Sequence, residues 1–203
     1  MREALPGIFV WSRLSEPHGY DFNGTFVVCA DGNLCIDPVA PPDEVLAELE
    51  RRGVARVLLT NRNHGRAAGL VRARTGARVA IHAADAAHAR REGTPIDDEL
   101  RIGERIGPFT VVAVPGKSPG EVALYDPARR LLVVGDAVIG NPPGRLSLLR
   151  EAVLDDPARL RQSVRRLLEL DVDAVLTGDG APILGGASAR LAELVASFPG
   201  TEP

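Results

Sequence analysis

The chain alternates between two hydrophobic rhythms. Short apolar runs rich in Val, Leu and Ile, each bounded by Gly, Pro or Asp, recur at Gly7–Trp11, Thr25–Ala30, Leu34–Asp37, Arg56–Thr60, Arg78–His82, Phe109–Val114, Val122–Tyr125, Leu131–Val134 and Ala174–Thr177. Runs of this length and composition predict β-strands. Between them the spacing becomes helical. Pro42-Asp43 opens a segment carrying Val45, Leu46 and Leu49 that stops near Gly53, with Pro at the start and Gly at the end as helices favour. Pro157 opens another with Leu160, Val164, Leu167 and Leu168 on one face, and Leu191, Leu194, Val195 and Phe198 mark a third between Ala187 and Phe198. Weaker helical patterns cover Ala67–Thr75 and Ala83–Arg91.

The order is hairpin strands, helix–strand alternation, more strands, then strand and helix again. That order suits two sheets with helices packed outside them. No linker divides the 203 residues, so residues 1–203 read as one domain. The longest irregular stretch, Asp136–Asp156 with Asn141-Pro142-Pro143-Gly144, reads as a loop over a site or a surface excursion. Cys29 and Cys35 flank the turn signal Asp31-Gly32-Asn33 and are positioned to face each other across a hairpin. They read as two small, reduced, buried hydrophobes.

Composition excludes several classes. Hydrophobic residues at 45% against 25% charged give a globular balance rather than disorder. With 24 basic and 27 acidic residues the net charge is −3, which offers nothing to nucleic acid. No apolar run approaches the roughly 20 residues of a spanning helix, and the first residues lack a leader's apolar stretch. The expectation is a cytoplasmic protein that handles a small molecule, with a homo-oligomer left open. Lys117 stands out because every other basic residue is Arg.

The candidate chemistry sits in loops at strand ends. These are Thr60-Asn61-Arg62-Asn63-His64-Gly65-Arg66, Pro115-Gly116-Lys117-Ser118-Pro119-Gly120, Gly135-Asp136 and Gly178-Asp179-Gly180, with Asn23-Gly24-Thr25 and Ile36-Asp37-Pro38 upstream. From about Gly7 to Phe198 this series resembles the metallo-β-lactamase superfamily. The resemblance implies an α/β fold, an αββα four-layer sandwich of two mixed sheets flanked by helices. In that family the loops read T-H-x-H-x-D-H, P-G-H-[ST]-P-G, G-D and G-H-G, and their His and Asp hold one or two metal ions that generate hydroxide for hydrolysis.

Here Asn61, Asn63, Gly65, Arg66, Lys117 and Asp179 fall on metal-ligand positions, and of the ligands only Asp136 is kept. Asn is a poor ligand for transition metals and Arg cannot ligate at all. The resemblance therefore implies a degenerate member with no metal, whose charges form an ion-pair and amide network: Arg66 and Lys117 against Asp136 and Asp179. Asn61, Asn63, His64, Arg66, Lys117 and Asp179 are the expected ligand-binding residues of the former active-site cleft. Its ligand would be a small, anionic molecule or a partner.

The alternative is an active hydrolase of esters, lactones or thioesters. Lys117 and Asp136 would be its catalytic residues in a metal-free site. Otherwise His64, Asp136 and Asp179 would form a shifted mononuclear site for zinc, iron or manganese, although the position of His64 tends to point away in this loop pattern. Ser118 belongs to the family pattern and is not read as a nucleophile, Asp37 is a framework anchor, and His18 and Tyr20 lie in a loop able to cover the mouth.

Overall fold

The computed structural model describes residues 1–199. Twelve strands form two mixed sheets. The first comprises β1 (Arg2–Leu5), β2 (Ile8–Ser15), β3 (Tyr20–Val27), β4 (Leu34–Ile36), β5 (Arg56–Leu59), β6 (Arg78–His82) and β7 (Asp98–Leu100), in that spatial order. It is antiparallel from β1 to β4 and parallel from β4 to β7. The second holds β8 (Arg105–Ile106), β9 (Phe109–Ala113), β10 (Val122–Asp126), β11 (Leu131–Val134) and β12 (Ala174–Thr177), with β11 and β12 parallel and the rest antiparallel. This is the expected four-layer sandwich.

Alternating positions on facing strands build the centre. Ile8, Val27, Ile36 and Leu58 of the first sheet meet Phe109, Leu124, Leu131 and Leu176 of the second, all with almost no exposure. The other face of each strand packs on helices. Helices α1 (Asp43–Arg52), α2 (Ala68–Thr75) and α3 (Ala83–Arg91) cover the first sheet through Val45, Leu49, Val71 and Ala89. Helices α4 (Pro157–Leu167) and α5 (Ala187–Ala196) cover the second through Leu160, Val164, Leu191 and Leu194. Because both faces are covered, the strands read as continuous apolar runs. Among the described residues no helix is long and apolar enough to cross a membrane.

The structure corrects three expectations. Strands β1, β7 and β8 sit at or next to sheet edges, and their two to four residues are mostly polar or half-exposed, so no alternation betrays them. The β2–β3 hairpin runs on to Ser15 and Tyr20, with Ser12, Arg13 and Leu14 exposed. The cysteines do not face each other. Cys35 pairs across with Phe26, whereas Cys29 lies past the end of β3 and packs against the core between the sheets. Cys35 belongs to the cluster under the first sheet's helices, and both thiols are free.

The two sheets are stitched together at one edge. Asn23 of β3 donates its backbone N–H to Gly178 O (2.7 Å), and its side-chain amide donates to Thr177 O (2.9 Å) and Gly180 O (2.7 Å). Val122 N donates across to Thr60 O at 2.9 Å. The loops carrying the candidate chemistry all leave from this edge.

Leu58 is fully buried between the sheets. Leu58→Ala is expected to lower the unfolding free energy by about 2–5 kcal/mol, measured by urea denaturation, with the secondary structure at low denaturant unchanged by circular dichroism.

Candidate functional site

Each loop reaches the site by leaving a strand end. Asp37 follows β4 in the left-handed conformation (φ 47°), which turns its side chain under the next strand. Its carboxylate accepts the Thr60 N–H (2.8 Å) and the Thr60 hydroxyl (2.6 Å). Thr60 directly follows β5 and starts the loop that carries His64 and Arg66. A second buried carboxylate, Asp85 in the first turn of α3, supports that loop from outside. It accepts from Arg62 N–H (2.9 Å) and Gly120 N–H (2.9 Å), and from the Ser118 hydroxyl. Ser118 thus ties the loop around Lys117 to the loop around His64. Gly135 and Gly178 have no side chain because Thr60 and His64 press against their Cα atoms.

His64 is the centre of the site and does not point away. Its ring has no exposure and lies between two carboxylates, with Nδ1 2.8 Å from Asp37 Oδ2 and Nε2 3.3 Å from Asp136 Oδ1. The position looks outward-facing in sequence, but Asp37 and Thr60 pull the ring in; Thr60 Oγ1 is 3.2 Å from Nδ1. Burial and the Arg66 guanidinium oppose a charged ring, yet Asp37 and Asp136 outweigh them and raise the imidazole to about 10.

The expected ion-pair network is present. Lys117 Nζ is 3.4 Å from Asp136 Oδ2 and donates to Asn63 Oδ1 at 2.8 Å. Arg66 Nη2 is 3.0 Å from Asp179 Oδ1 and also 3.0 Å from His64 Nε2. The guanidinium lies over the Phe22 ring, 4.4 Å from its centroid. Burial works against a charged Asp136, but His64, Lys117 and Arg66 hold its carboxyl well below the usual carboxylate range. Burial and the neighbouring Asp136 charge push Asp179 the other way, upward.

Around this floor stands a cleft of about 670 Å³. Asn63, His64, Arg66, Lys117, Asp136 and Asp179 line it at the bottom. His18, Tyr20 and Phe22 form one wall as a mutually tilted aromatic cluster with centroids 5.3–6.1 Å apart. The irregular segment after Asp136 supplies the other through Ile139, Leu148, Leu149, Arg150 and Val153. That segment is therefore a wall of the cleft.

Asn61 is the exception among the expected binding residues. It is fully buried and does not line the cleft. Its Oδ1 accepts the Asn63 N–H and its Nδ2 donates to Glu121 Oε1 at 3.4 Å, so it braces the loop from beneath. Glu121 itself was not anticipated. It is buried beneath Asp136, and its Oε1 accepts the Asp136 N–H at 2.7 Å while Oε2 has no partner among the described residues. Burial and the Asp136 charge push its carboxyl well above the usual range. The one signal for it was a lone charge heading the apolar strand Val122–Asp126.

A carboxyl raised in the fold binds its proton more tightly folded than unfolded. The associated stability is complete below the unfolded value of about 4.3 and drains away as pH rises toward the folded value. Glu121→Gln keeps the carbonyl that accepts from Asp136 and removes the titration. The variant's unfolding free energy relative to the parent is expected to increase as pH rises above 5, with a limiting slope of about 1.4 kcal/mol per pH unit. Urea melts across that range measure it.

Comparison with known proteins agrees with this architecture. The hydroxyacylglutathione hydrolase of Cereibacter sphaeroides (strain ATCC 17029 / ATH 2.4.9) is 37% identical over 123 residues, which cover 57% of this chain and 47% of that protein. The probable metallo-hydrolase YflN of Bacillus subtilis (strain 168) is 32% identical over 84 residues, covering 36% of this chain and 32% of that protein. The chain thus matches about half, or less, of the length of these curated relatives. Among solved structures, TTHA1623 in a di-iron-bound form superposes with a TM-score of 0.69 at 28% identity, covering 89% of this chain and 98% of that one. The DIM-1 metallo-beta-lactamase shares the fold at a TM-score of 0.77 and 15% identity, covering 96% and 94%. The family model for the metallo-beta-lactamase superfamily matches residues 2–198. With the sandwich, the loop order and this match in agreement, the chain belongs to the metallo-beta-lactamase superfamily.

Proposed function

We propose that the cleft binds a small amphipathic anion without a two-metal centre. The observation that carries this reading is the seating of two side-chain cations on the site's carboxylates: Arg66 on Asp179 at 3.0 Å and Lys117 on Asp136 at 3.4 Å. The superfamily's two-metal centre does not fit these residues. An amide, a guanidinium and an ammonium occupy ligand positions, and none of them coordinates a metal well. A buried carboxylate without a counter-charge would cost several kcal/mol. Arg66 and Lys117 supply the counter-charge that metal ions would otherwise bring.

The cleft's lining supports an anionic ligand with an apolar body. His64, Arg66, Lys117 and Arg150 are its cationic groups, against Asp136 and Asp179. Asp37 offsets the ring of His64 from behind. Arg150 has no carboxylate within ion-pair distance among the described residues, which leaves one positive charge at the rim free for a ligand. Tyr20, Phe22, Leu148 and Leu149 offer the apolar walls.

A second reading is supported by the relatives named hydroxyacylglutathione hydrolase. In it the same cleft hydrolyses an ester or thioester, with Lys117, held between Asn63 and Asp136, contacting the reacting carbonyl. Asp136 would keep the ammonium in place.

Octanoate serves as the probe for the first reading. It is expected to raise the melting temperature, whereas octanol and acetate at the same concentration do not. Lys117→Ala and Arg150→Ala are each expected to weaken octanoate binding about tenfold, the equivalent of 1.4 kcal/mol. Equal stabilisation by octanol would mean that the charged floor is irrelevant. For the second reading, p-nitrophenyl butyrate is the substrate. Turnover that persists in EDTA and disappears in Lys117→Ala supports it, and turnover unchanged by that substitution removes it.

A further inference from the structure

We infer that His64, Asp136 and Asp179 form a single-cation site, suited to a divalent metal such as Mn²⁺ or Zn²⁺, whose present occupant is the Arg66 guanidinium. This rests on the reading that the cleft works without a two-metal centre.

Three observations converge on it. First, one ligand atom from each of the three side chains lies within 4.8 Å of the others, and all three residues are buried. One imidazole and two carboxylates make a donor set that accommodates manganese, iron or zinc. Second, a single nitrogen of Arg66 stands among them, 3.0 Å from both His64 Nε2 and Asp179 Oδ1. A positive charge is therefore already at the point where these groups converge. Third, the ring is oriented as metal-binding imidazoles are. Asp37 Oδ2, 2.8 Å from Nδ1, accepts the Nδ1–H hydrogen bond and aims Nε2 at the site, where a metal ion would displace the Nε2 proton. Lys117 does not block the position, since it sits on Asp136 Oδ2 while Oδ1 faces the ring.

Arg66 also has room to leave. It forms part of the wall of two further depressions beside the cleft, of about 330 and 540 Å³. Its contact with Phe22 holds it in place without enclosing it. The side chain acts as a built-in competitor for cations: a tethered charge at high local concentration excludes a free ion that binds at micromolar levels.

The test uses the full chain and compares the parent with Arg66→Ala. Mn²⁺ is titrated in and followed by loss of the free ion's electron paramagnetic resonance signal, with Zn²⁺ titrated by calorimetry. The parent is expected to take up no metal at 100 µM. Arg66→Ala is expected to bind one ion per chain at least 100-fold more tightly, and Arg66→Ala with Asp179→Asn to lose it again. If Arg66→Ala melts too early to titrate, Arg66→Gln, which keeps a hydrogen-bond donor for Asp179, replaces it with the same expectations. A folded Arg66 variant that binds no metal overturns the inference and leaves the metal-free reading standing. A parent that binds one ion as tightly as the variant overturns both.

Discussion

Five ionisable side chains, His64, Arg66, Lys117, Asp136 and Asp179, meet at the floor of this cleft, and all but Arg66 are buried. The structure depends on their charges closing. His64 is held by Asp37 and Asp136, Lys117 by Asp136, and Arg66 by Asp179. Remove Arg66 and Asp179 loses its one ion-pair partner among the described residues; an unpaired buried charge is among the costliest single errors a fold can contain. The stitching of the two sheets at this edge, the carboxylate of Asp85 beneath two loops, and the glycines that let Thr60 and His64 press close all keep these groups within reach of one another.

The superfamily scaffold and its electrostatics are separable. The sandwich, the order of the loops and their strand-end positions are those of proteins whose sites hold metals, TTHA1623 in its di-iron-bound form among them. In this chain the same framework brings two side-chain cations onto its carboxylates, Arg66 onto Asp179 and Lys117 onto Asp136. On the proposed reading, positive charge is needed where Asp136 and Asp179 converge, whatever its source. Side chains and metal ions both meet that requirement, with different consequences for chemistry, because a guanidinium neither generates hydroxide nor polarises a carbonyl as a metal does.

Much of this was legible in the sequence because the signals were local. Long apolar runs bounded by Gly and Pro located the central strands, and the loop motifs located the site. The pairing of Arg66 and Lys117 with the two aspartates followed from where the family resemblance places these residues, together with their charge balance. What stayed hidden depended on direction or on distant partners. Asn61 and Asn63 are chemically identical and two residues apart, yet one faces the cleft and the other faces Glu121 beneath it. His64 occupies a position that pattern alone sends outward, and only Asp37, 27 positions earlier in the chain, draws it in. Glu121 left no pattern beyond one charge before an apolar run. The edge strands β7 and β8 are too short for alternation to register.

The stitch through Asn23 also sets an order of assembly. Its side-chain amide bonds to carbonyls 154 and 157 residues further along the chain. Helices α1 to α3 and their sheet can form from neighbouring segments, but closing so long a loop requires nearly the whole chain to be present. During synthesis β8 to β11 would emerge and begin to cover the first sheet's inner face while Asn23 still lacked its partners, which come only with β12 and the loop after it. The binding cleft is therefore completed late, once Asp179 has emerged. An interrupted chain ending before Thr177 would lack the end of β12 and all of α5, leaving the second sheet's outer face bare where Leu191 and Leu194 pack and the cleft without Asp179.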